Sequence, residues 1–288
     1  MKILVTGATG KLGSATIEQL LKKTNPVNIV ALARDENKAQ QLIEKNIEVR
    51  IGNFDDTTSL DKAMQGIEKV LLISTIDPNR FQQHTNVIDA ARKAGVKFIV
   101  YTSVSLKDLN SSAAEFLLKS HFQTEDHIKA SGIAYTILRN NIYTDMLLMY
   151  LGEKVFETGI HLPAGQGKLP FALRREMGEA TANLLFQSEE HQNKTYELTN
   201  TELYSFQDIA NALSVLSGKA ITYTNADPEE FKKTLENGNM PEEIISIFTA
   251  FITDFKNHQY ETTTNDLGNL LGRKPAMLTE ALKELYNL

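Results

Sequence analysis

The 288-residue chain contains no cysteine. It can therefore form no disulfide, no thiolate nucleophile and no cysteine-ligated metal site, and this composition fits a reducing compartment. The six histidines show no metal-ligand spacing. We predict a protein without a metal.

An excess of basic residues and long apolar runs are also lacking. Acidic residues outnumber Lys and Arg by 36 to 30, which gives a net charge of -6, whereas a general nucleic-acid surface needs a basic face. The longest apolar runs, such as residues 70–73, have the length of a strand and cannot span a bilayer. A secretory signal would need a longer apolar region than residues 2–6 supply. We expect a cytoplasmic protein that binds neither nucleic acid nor membrane.

The first thirteen residues carry the strongest functional signal. An apolar run at residues 2–6 predicts a strand, which leads through Gly-Ala-Thr-Gly-Lys-Leu-Gly into a predicted helix at 14–23. The amino end of such a helix offers free N–H groups and a positive dipole to a pyrophosphate. Although glycines also occur at turns without a ligand, this arrangement predicts an NAD-type coenzyme held by Gly7, Thr9, Gly10, Lys11, Leu12 and Gly13.

The alternation of strands and helices predicts an α/β fold. Six strands are expected at residues 2–6, 28–33, 47–51, 69–74, 97–103 and 134–139. Helices between them favour a Rossmann-type, doubly wound parallel sheet in the order 3-2-1-4-5-6, with the ligand crevice at the carboxyl ends of the strands.

From about Asn141 glycine and proline become frequent, which predicts a smaller, mostly helical C-terminal lobe. We divide the chain into an NAD(P)-binding domain, residues 1–150, and a substrate-binding lobe, residues 151–288, and expect some later segments to return to the first domain. Residues 242–255 are apolar on more than one face. They fit either packing within the lobe or a functional role as a wall over an apolar substrate or as a surface for a partner.

Residues that follow the second and third strands predict the adenosine half of the coenzyme site. An arginine at the end of the second strand can pair with the 2′-phosphate of NADP, so Arg34 favours NADPH over NADH. The alternative is a solvated Arg34 beside Asp35 that only caps the next helix. Asn53 and Phe54 follow the third strand, where adenine would lie.

The reacting end of the site is expected beyond strands four to six. Ser74 and Thr75 follow the fourth strand, while Tyr101, Thr102 and Ser103 end the fifth. The positions after the sixth strand add further candidates, namely Arg139, Asn140, Asn141 and Tyr143.

His121 and Glu125 are four residues apart on a predicted helix, so the carboxylate could orient the imidazole, with a surface pair as an equal alternative. We take His121, Tyr143 and Asn140 as the candidate catalytic residues.

No Tyr-x-x-x-Lys pair occurs on the predicted fifth helix, residues 113–130. Short-chain dehydrogenases and sugar-nucleotide epimerases use this tyrosine as a general acid whose pKa the lysine lowers. Tyr135 and Arg139 have comparable spacing, but both fall on a predicted strand. Alcohol oxidation or epimerisation through such an acid is therefore disfavoured.

Several segments together resemble the NmrA-like atypical short-chain dehydrogenases. Within these, the chain is most similar to the group of NADPH-dependent quinone oxidoreductase type 2 and triphenylmethane reductase. The glycine turn is shared across a superfamily, whereas His-x-x-Thr-Glu and Leu-Arg-Asn are more specific. The resemblance extends almost from end to end and is carried by residues 6–13, 96–103, 121–125, 131–140 and 270–275.

The resemblance implies that the glycine turn and Arg34 bind NADP and that Ser74, Thr75 and the residues ending strands five and six surround the nicotinamide. Isoflavone-reductase-like relatives have a lysine where this chain has His121. Hydride transfer to a quinone or a cationic dye needs little acid–base help, because these acceptors are strong electrophiles.

Three functions remain open from the sequence. The first is an NAD(P)H-dependent oxidoreductase with a quinone-like aromatic acceptor, acting as a monomer or homodimer. The second is an NmrA-type redox sensor that binds the dinucleotide without turnover, and the third is a nucleoside-diphosphate-sugar epimerase-like protein.

Overall fold

Seven parallel strands form the central sheet in the order β3-β2-β1-β4-β5-β6-β9. The computed structural model describes residues 1–152 and 154–288. Two further pairs of short strands, β10 with β8 and β11 with β7, lie outside this sheet. The strands are β1 (Ile3–Val5), β2 (Ile29–Ala33), β3 (Glu48–Ile51), β4 (Lys69–Leu72), β5 (Phe98–Val104), β6 (Ala134–Asn140), β7 (Ile160–His161), β8 (Lys168–Leu169), β9 (Lys194–Leu198), β10 (Tyr204–Ser205) and β11 (Tyr223–Thr224).

The predicted Rossmann-type order of six strands is confirmed. A seventh strand, β9, pairs in parallel with β6, with Leu138 opposite Tyr196. It extends the sheet because the chain, after α6, α7 and α8, returns to the sheet edge beside β6.

The helices that connect and cover these strands are α1 (Lys11–Leu20), α2 (Gln40–Glu44), α3 (Thr57–Ala63), α4 (Arg80–Lys93), α5 (Glu115–Ala130), α6 (Leu147–Leu151), α7 (Val155–Thr158), α8 (Arg174–Phe186), α9 (Phe206–Ser217), α10 (Pro228–Asn237), α11 (Glu242–Lys256), α12 (Asp266–Leu271) and α13 (Leu278–Tyr286). The sequence predicts helices at residues 36–45 and 141–151, but only the second half of each is α-helical. A 3₁₀ turn at Asn37–Ala39 precedes α2, and another at Thr144–Met146 precedes α6.

The two faces of the sheet pack against different sets of helices. Ile3 and Val5 of β1 share one core with α1, α8 and α12, whereas Leu4 between them belongs to a second core with α3, α4 and α5. This alternation follows from the two-residue period of a strand. Covering both faces is what a parallel sheet requires.

Helices α1 and α8 lie unusually close together. A Cβ atom on Gly178 of α8 would stand 2.8 Å from Cβ of Ala15 in α1. Only glycine therefore permits this approach. The later segments α8, β9 and α12 consequently complete the core around β1.

The C-terminal lobe has its own aromatic core. Tyr150 of α6 stacks on Phe248 of α11 with ring centroids 4.9 Å apart, and Phe255 packs against both Tyr150 and Tyr260. Phe248 and Phe255 are buried, so the apolar α11 serves packing within the lobe.

Candidate functional site

The glycine turn between β1 and α1 leaves backbone amides free for an anion. Gly10 N donates to Gly7 O over 2.9 Å, and the first helical bond runs from Ser14 N to Gly10 O over 2.8 Å. The amides of the three residues between them, Lys11 to Gly13, therefore point out of the helix end without an acceptor inside the helix. This end can bind the pyrophosphate of a dinucleotide.

The glycines of this turn are required by its geometry. Gly7 has a φ of +57°, and a Cβ on Gly13 would stand 2.2 Å from Gly7 O. A side chain at either position would open the turn or displace the helix. The residues present thus fit a bound dinucleotide.

Two threonines fix the neighbouring strand ends. Thr6 Oγ1 accepts a hydrogen bond from Ile73 N, and Thr102 Oγ1 accepts one from Ser74 N, each over 2.9 Å. Thr75 Oγ1 donates to Gln83 Oε1 over 3.3 Å. The carboxyl ends of β1, β4 and β5 are thereby tied together at the crevice.

The predicted adenosine residues lie at the ends of β2 and β3. Arg34 follows β2 with an exposed side chain, while Asp35 Oδ1 accepts a hydrogen bond from Asn37 N over 2.9 Å. Asn53 is exposed after β3, and Phe54 is partly buried with its ring edge-on to His84. Asp35 therefore caps the following turn, and Arg34 remains open to a ligand.

A buried polar cluster lies behind the carboxyl end of β5. Tyr101 OH and His121 Nδ1 are 2.9 Å apart, and His84 Nδ1 and Thr124 Oγ1 are 3.1 Å apart. The guanidinium of Arg80 is buried beside them and donates to Leu117 O over 3.1 Å. Sequence reasoning missed Arg80 and His84, because their positions on α4 gave no sign that they face β5.

Burial keeps the two histidines of this cluster neutral. Desolvation, aided by the positive charge of Arg80, lowers the pKa of His84 to about 3. The same causes hold the pKa of His121 well below its ordinary value. Desolvation also raises the pKa of Tyr101. His121 is therefore an uncharged hydrogen-bonding group at neutral pH.

The predicted His121–Glu125 pair is wrong. Glu125, almost fully buried, accepts hydrogen bonds from Arg139 Nε over 2.9 Å and from Ser103 Oγ over 2.7 Å, while His121 bonds Tyr101. Side chains four apart share a helical face, but the strand residues opposite them decide their partners. Ser103 and Arg139 are thus engaged in an internal network, and their role toward a coenzyme stays a prediction.

The end of β6 carries an unsatisfied amide. Asn140 Nδ2 donates to Tyr143 OH over 2.9 Å, but no residue in the described part of the chain donates to the buried Asn140 Oδ1. The guanidinium of Arg174 lies 4.2 Å above the Tyr143 ring, and burial raises the pKa of Tyr143. A buried amide oxygen without a partner is costly, so this position is suited to a ligand donor.

Asn141, by contrast, is used by the protein itself. Its Nδ2 donates to Tyr260 O over 3.1 Å, and its Oδ1 accepts from Ile142 N over 2.8 Å. The side chain joins β6 to the C-terminal lobe. Its assignment to the coenzyme stays a prediction.

Two kinds of feature are absent from residues 1–152 and 154–288. No cluster of three or more His, Asp or Glu side chains could hold a metal ion there. No helix in that part of the chain is long and apolar enough to cross a membrane.

Comparison with known proteins places the chain in a family. The sequence model of the NmrA-like family matches residues 1–282. The chain belongs to the NmrA-like family. This membership confirms the resemblance seen in the glycine turn and in the His-x-x-Thr-Glu segment.

Several named proteins are similar to this chain over its full length. Quinone oxidoreductase 2 of Escherichia coli is 34% identical over 288 residues, which cover 99% of both chains. The structure of triphenylmethane reductase from Citrobacter sp. has a TM-score of 0.93 and 36% identity, with 100% of both chains covered. The Escherichia coli quinone oxidoreductase in complex with NADPH has a TM-score of 0.91 and 34% identity, covering 99% of this chain and 100% of that one.

Proposed function

We propose that this NmrA-like protein is an NADPH-dependent oxidoreductase that reduces a conjugated electrophile, with a quinone as the acceptor. The observation that carries the proposal is the glycine turn, whose outward amides follow β1, while the neighbouring strand β2 is followed by the exposed Arg34. The full-length similarity to a named quinone oxidoreductase and to a structure holding NADPH supports it.

Different residues of the crevice bind different parts of the coenzyme. The amides of residues 11–13 bind the pyrophosphate, and Arg34 pairs with the 2′-phosphate. Asn53 and Phe54 border the adenine, while Ser74, Thr75 and Thr102 border the nicotinamide half. When bound, NADPH supplies the hydride.

The protein's own groups hold and orient the acceptor. At the end of β6 the Tyr143 hydroxyl can donate a hydrogen bond to a carbonyl of the acceptor, and the unpaired Asn140 Oδ1 can accept one from an amide N–H such as that of the nicotinamide. Neutral His121, held by Tyr101, is an uncharged hydrogen-bonding group on α5 behind the carboxyl end of β5. Because a quinone is a strong electrophile, positioning its ring against the nicotinamide supplies most of the rate enhancement. The hydroquinone anion then takes its proton from water.

Turnover of NADPH by the purified protein tests the proposal. We expect saturable loss of NADPH absorbance with quinones. Replacing Arg34 by alanine should raise the KM for NADPH by about tenfold to a hundredfold, because a charge-assisted hydrogen bond to phosphate is lost, and should leave the KM for NADH unchanged. Arg92→Ala, which removes an exposed arginine at the far end of α4, is the matched control.

The acceptor panel decides between the possible outcomes. Reduction of triphenylmethane dyes without reduction of any quinone would support the oxidoreductase activity but overturn the assignment of a quinone as the acceptor. Binding of NADPH without its oxidation by any acceptor would overturn the proposed enzyme activity and favour a role as a redox sensor.

A further inference from the structure

Asp145 lies between two cations at the amino ends of two helices. Its Oδ2 is 3.2 Å from Lys11 Nζ, and its Oδ1 is 3.3 Å from Arg174 Nε. The Lys11 side chain is 70% exposed, whereas Asp145 and Arg174 are each 20% exposed. The carboxylate therefore neutralises charge at the point where the coenzyme pyrophosphate is expected.

Packing of α1 on α8 brings these residues together. Lys11 and Arg174 are the first residues of their helices, and the contact of Gly178 with Ala15 holds the two helices side by side. Asp145 reaches them from the 3₁₀ turn after β6, which is fixed by a hydrogen bond from Thr144 N to Ala172 O. The helix ends and both cations attract an anion, and Asp145 repels it.

The contacts of Asp145 are incomplete. Although the ion pair with Arg174 is close, neither Asp145 Oδ1 nor Arg174 Nε has a hydrogen-bond partner among the described residues. Arg174 stacks on the Tyr143 ring, so its position does not depend on Asp145. The Lys11 side chain is flexible and exposed, so its ammonium group can exchange one ion-pair partner for another with little change in free energy.

We propose that Asp145 competes with the coenzyme pyrophosphate for Lys11. The inference rests on the proposed coenzyme site and adds a residue that weakens binding there. In the free protein Lys11 pairs with Asp145, and on binding it turns to the pyrophosphate beside the amides of α1. Asp145 thereby keeps the affinity for the oxidised coenzyme low and favours its release after hydride transfer.

Calorimetric titration with NADP⁺ tests the proposal without any turnover. We expect Asp145→Asn to lower the Kd by about 1.5- to fivefold, the range of a partly exposed ion pair. Lys11→Met should weaken binding more in the Asp145→Asn background than in the native chain, because Lys11 then has no competing partner. Asp61→Asn, which removes an acid from an ion pair with Lys93, should leave the Kd unchanged.

The opposite sign would overturn the inference. If Asp145 instead orients Lys11 toward the phosphate, Asp145→Asn weakens NADP⁺ binding, and Lys11→Met then changes the Kd less in that background. An unchanged Kd in Asp145→Asn would also overturn the inference. Asp145→Ser replaces the asparagine variant if the latter does not fold. Failure of the native protein to bind NADP⁺ would instead overturn the proposed function. Binding of 2′-AMP, which has no pyrophosphate, should be unaffected by Asp145→Asn.

Discussion

At the scale of single residues, the buried cluster behind β5 shows how much chemistry depends on partners distant in sequence. His84 faces Arg80 on its own helix, Tyr101 on β5, and His121 and Thr124 on α5. The sequence indicated Tyr101 and His121 as separate candidates. It could not indicate their contact, because periodicity defines which face a residue occupies but not what lies opposite.

The depressed pKa of His84 predicts acid sensitivity. In the folded protein this pKa is about 3, against about 6.5 when unfolded. The unfolded chain therefore binds more protons between these values, and stability is lost as the pH falls below about 6.5. Between pH 6.5 and 5, protonation of His84 in the unfolded chain should by itself lower the free energy of unfolding by about 2 kcal/mol.

Urea unfolding at both pH values measures this loss. His84→Gln should lose less stability than the native chain over the same interval. His161→Gln removes an exposed histidine and serves as the control. Equal losses in the native chain and in His84→Gln would show that His84 is not the sensitive group.

At the scale of elements, α5 is capped by a residue from another helix. The fully buried Asp254 of α11 accepts hydrogen bonds from Ser112 Oγ and Ala113 N, each over 2.6 Å. It also accepts one from Ala114 N over 3.3 Å. The C-terminal lobe thus holds the start of the helix that carries His121.

Loss of this cap should destabilise the whole protein. We expect Asp254→Ala to lower the unfolding free energy by about 2–4 kcal/mol, because several buried donors lose their acceptor. Asp56→Ala removes the exposed cap of α3 and should cost only about 1 kcal/mol. Chemical denaturation of both variants gives the comparison, and equal losses would contradict a special role for Asp254.

The sequence predicted elements better than it predicted their assembly. The six alternating strands and the glycine turn follow local patterns, and the structure has them in the expected order. The place of β9 in the sheet and the Glu125–Arg139 pair were not predictable, because both depend on contacts between segments far apart in the chain. Coenzyme residues at strand ends could be proposed because parallel strands bring their carboxyl ends to one edge.

At the scale of the whole molecule, the two halves of the chain share one core. Met177 and Leu184 of α8 and Leu267 of α12 pack in the same cluster as Ile3 and Ile17. A division at residue 150 therefore separates residues that bury one another.

The fragment 1–150 should not fold by itself. Without α8, β9 and α12 it would expose apolar side chains and the unpaired edge of β6, which favours aggregation. Circular dichroism and denaturant unfolding of the fragment, compared with the full chain, measure this. A cooperative unfolding transition of the fragment would refute the shared core.

The hydrogen bonds of Thr6 and Thr102 have a thermodynamic consequence for the crevice. They order the ends of three strands before any ligand arrives. A ligand that enters this edge therefore immobilises little backbone, and the conformational entropy lost on association is small. Selectivity at this edge then follows from charge and shape already in place, and the rate of encounter need not wait for a loop to form.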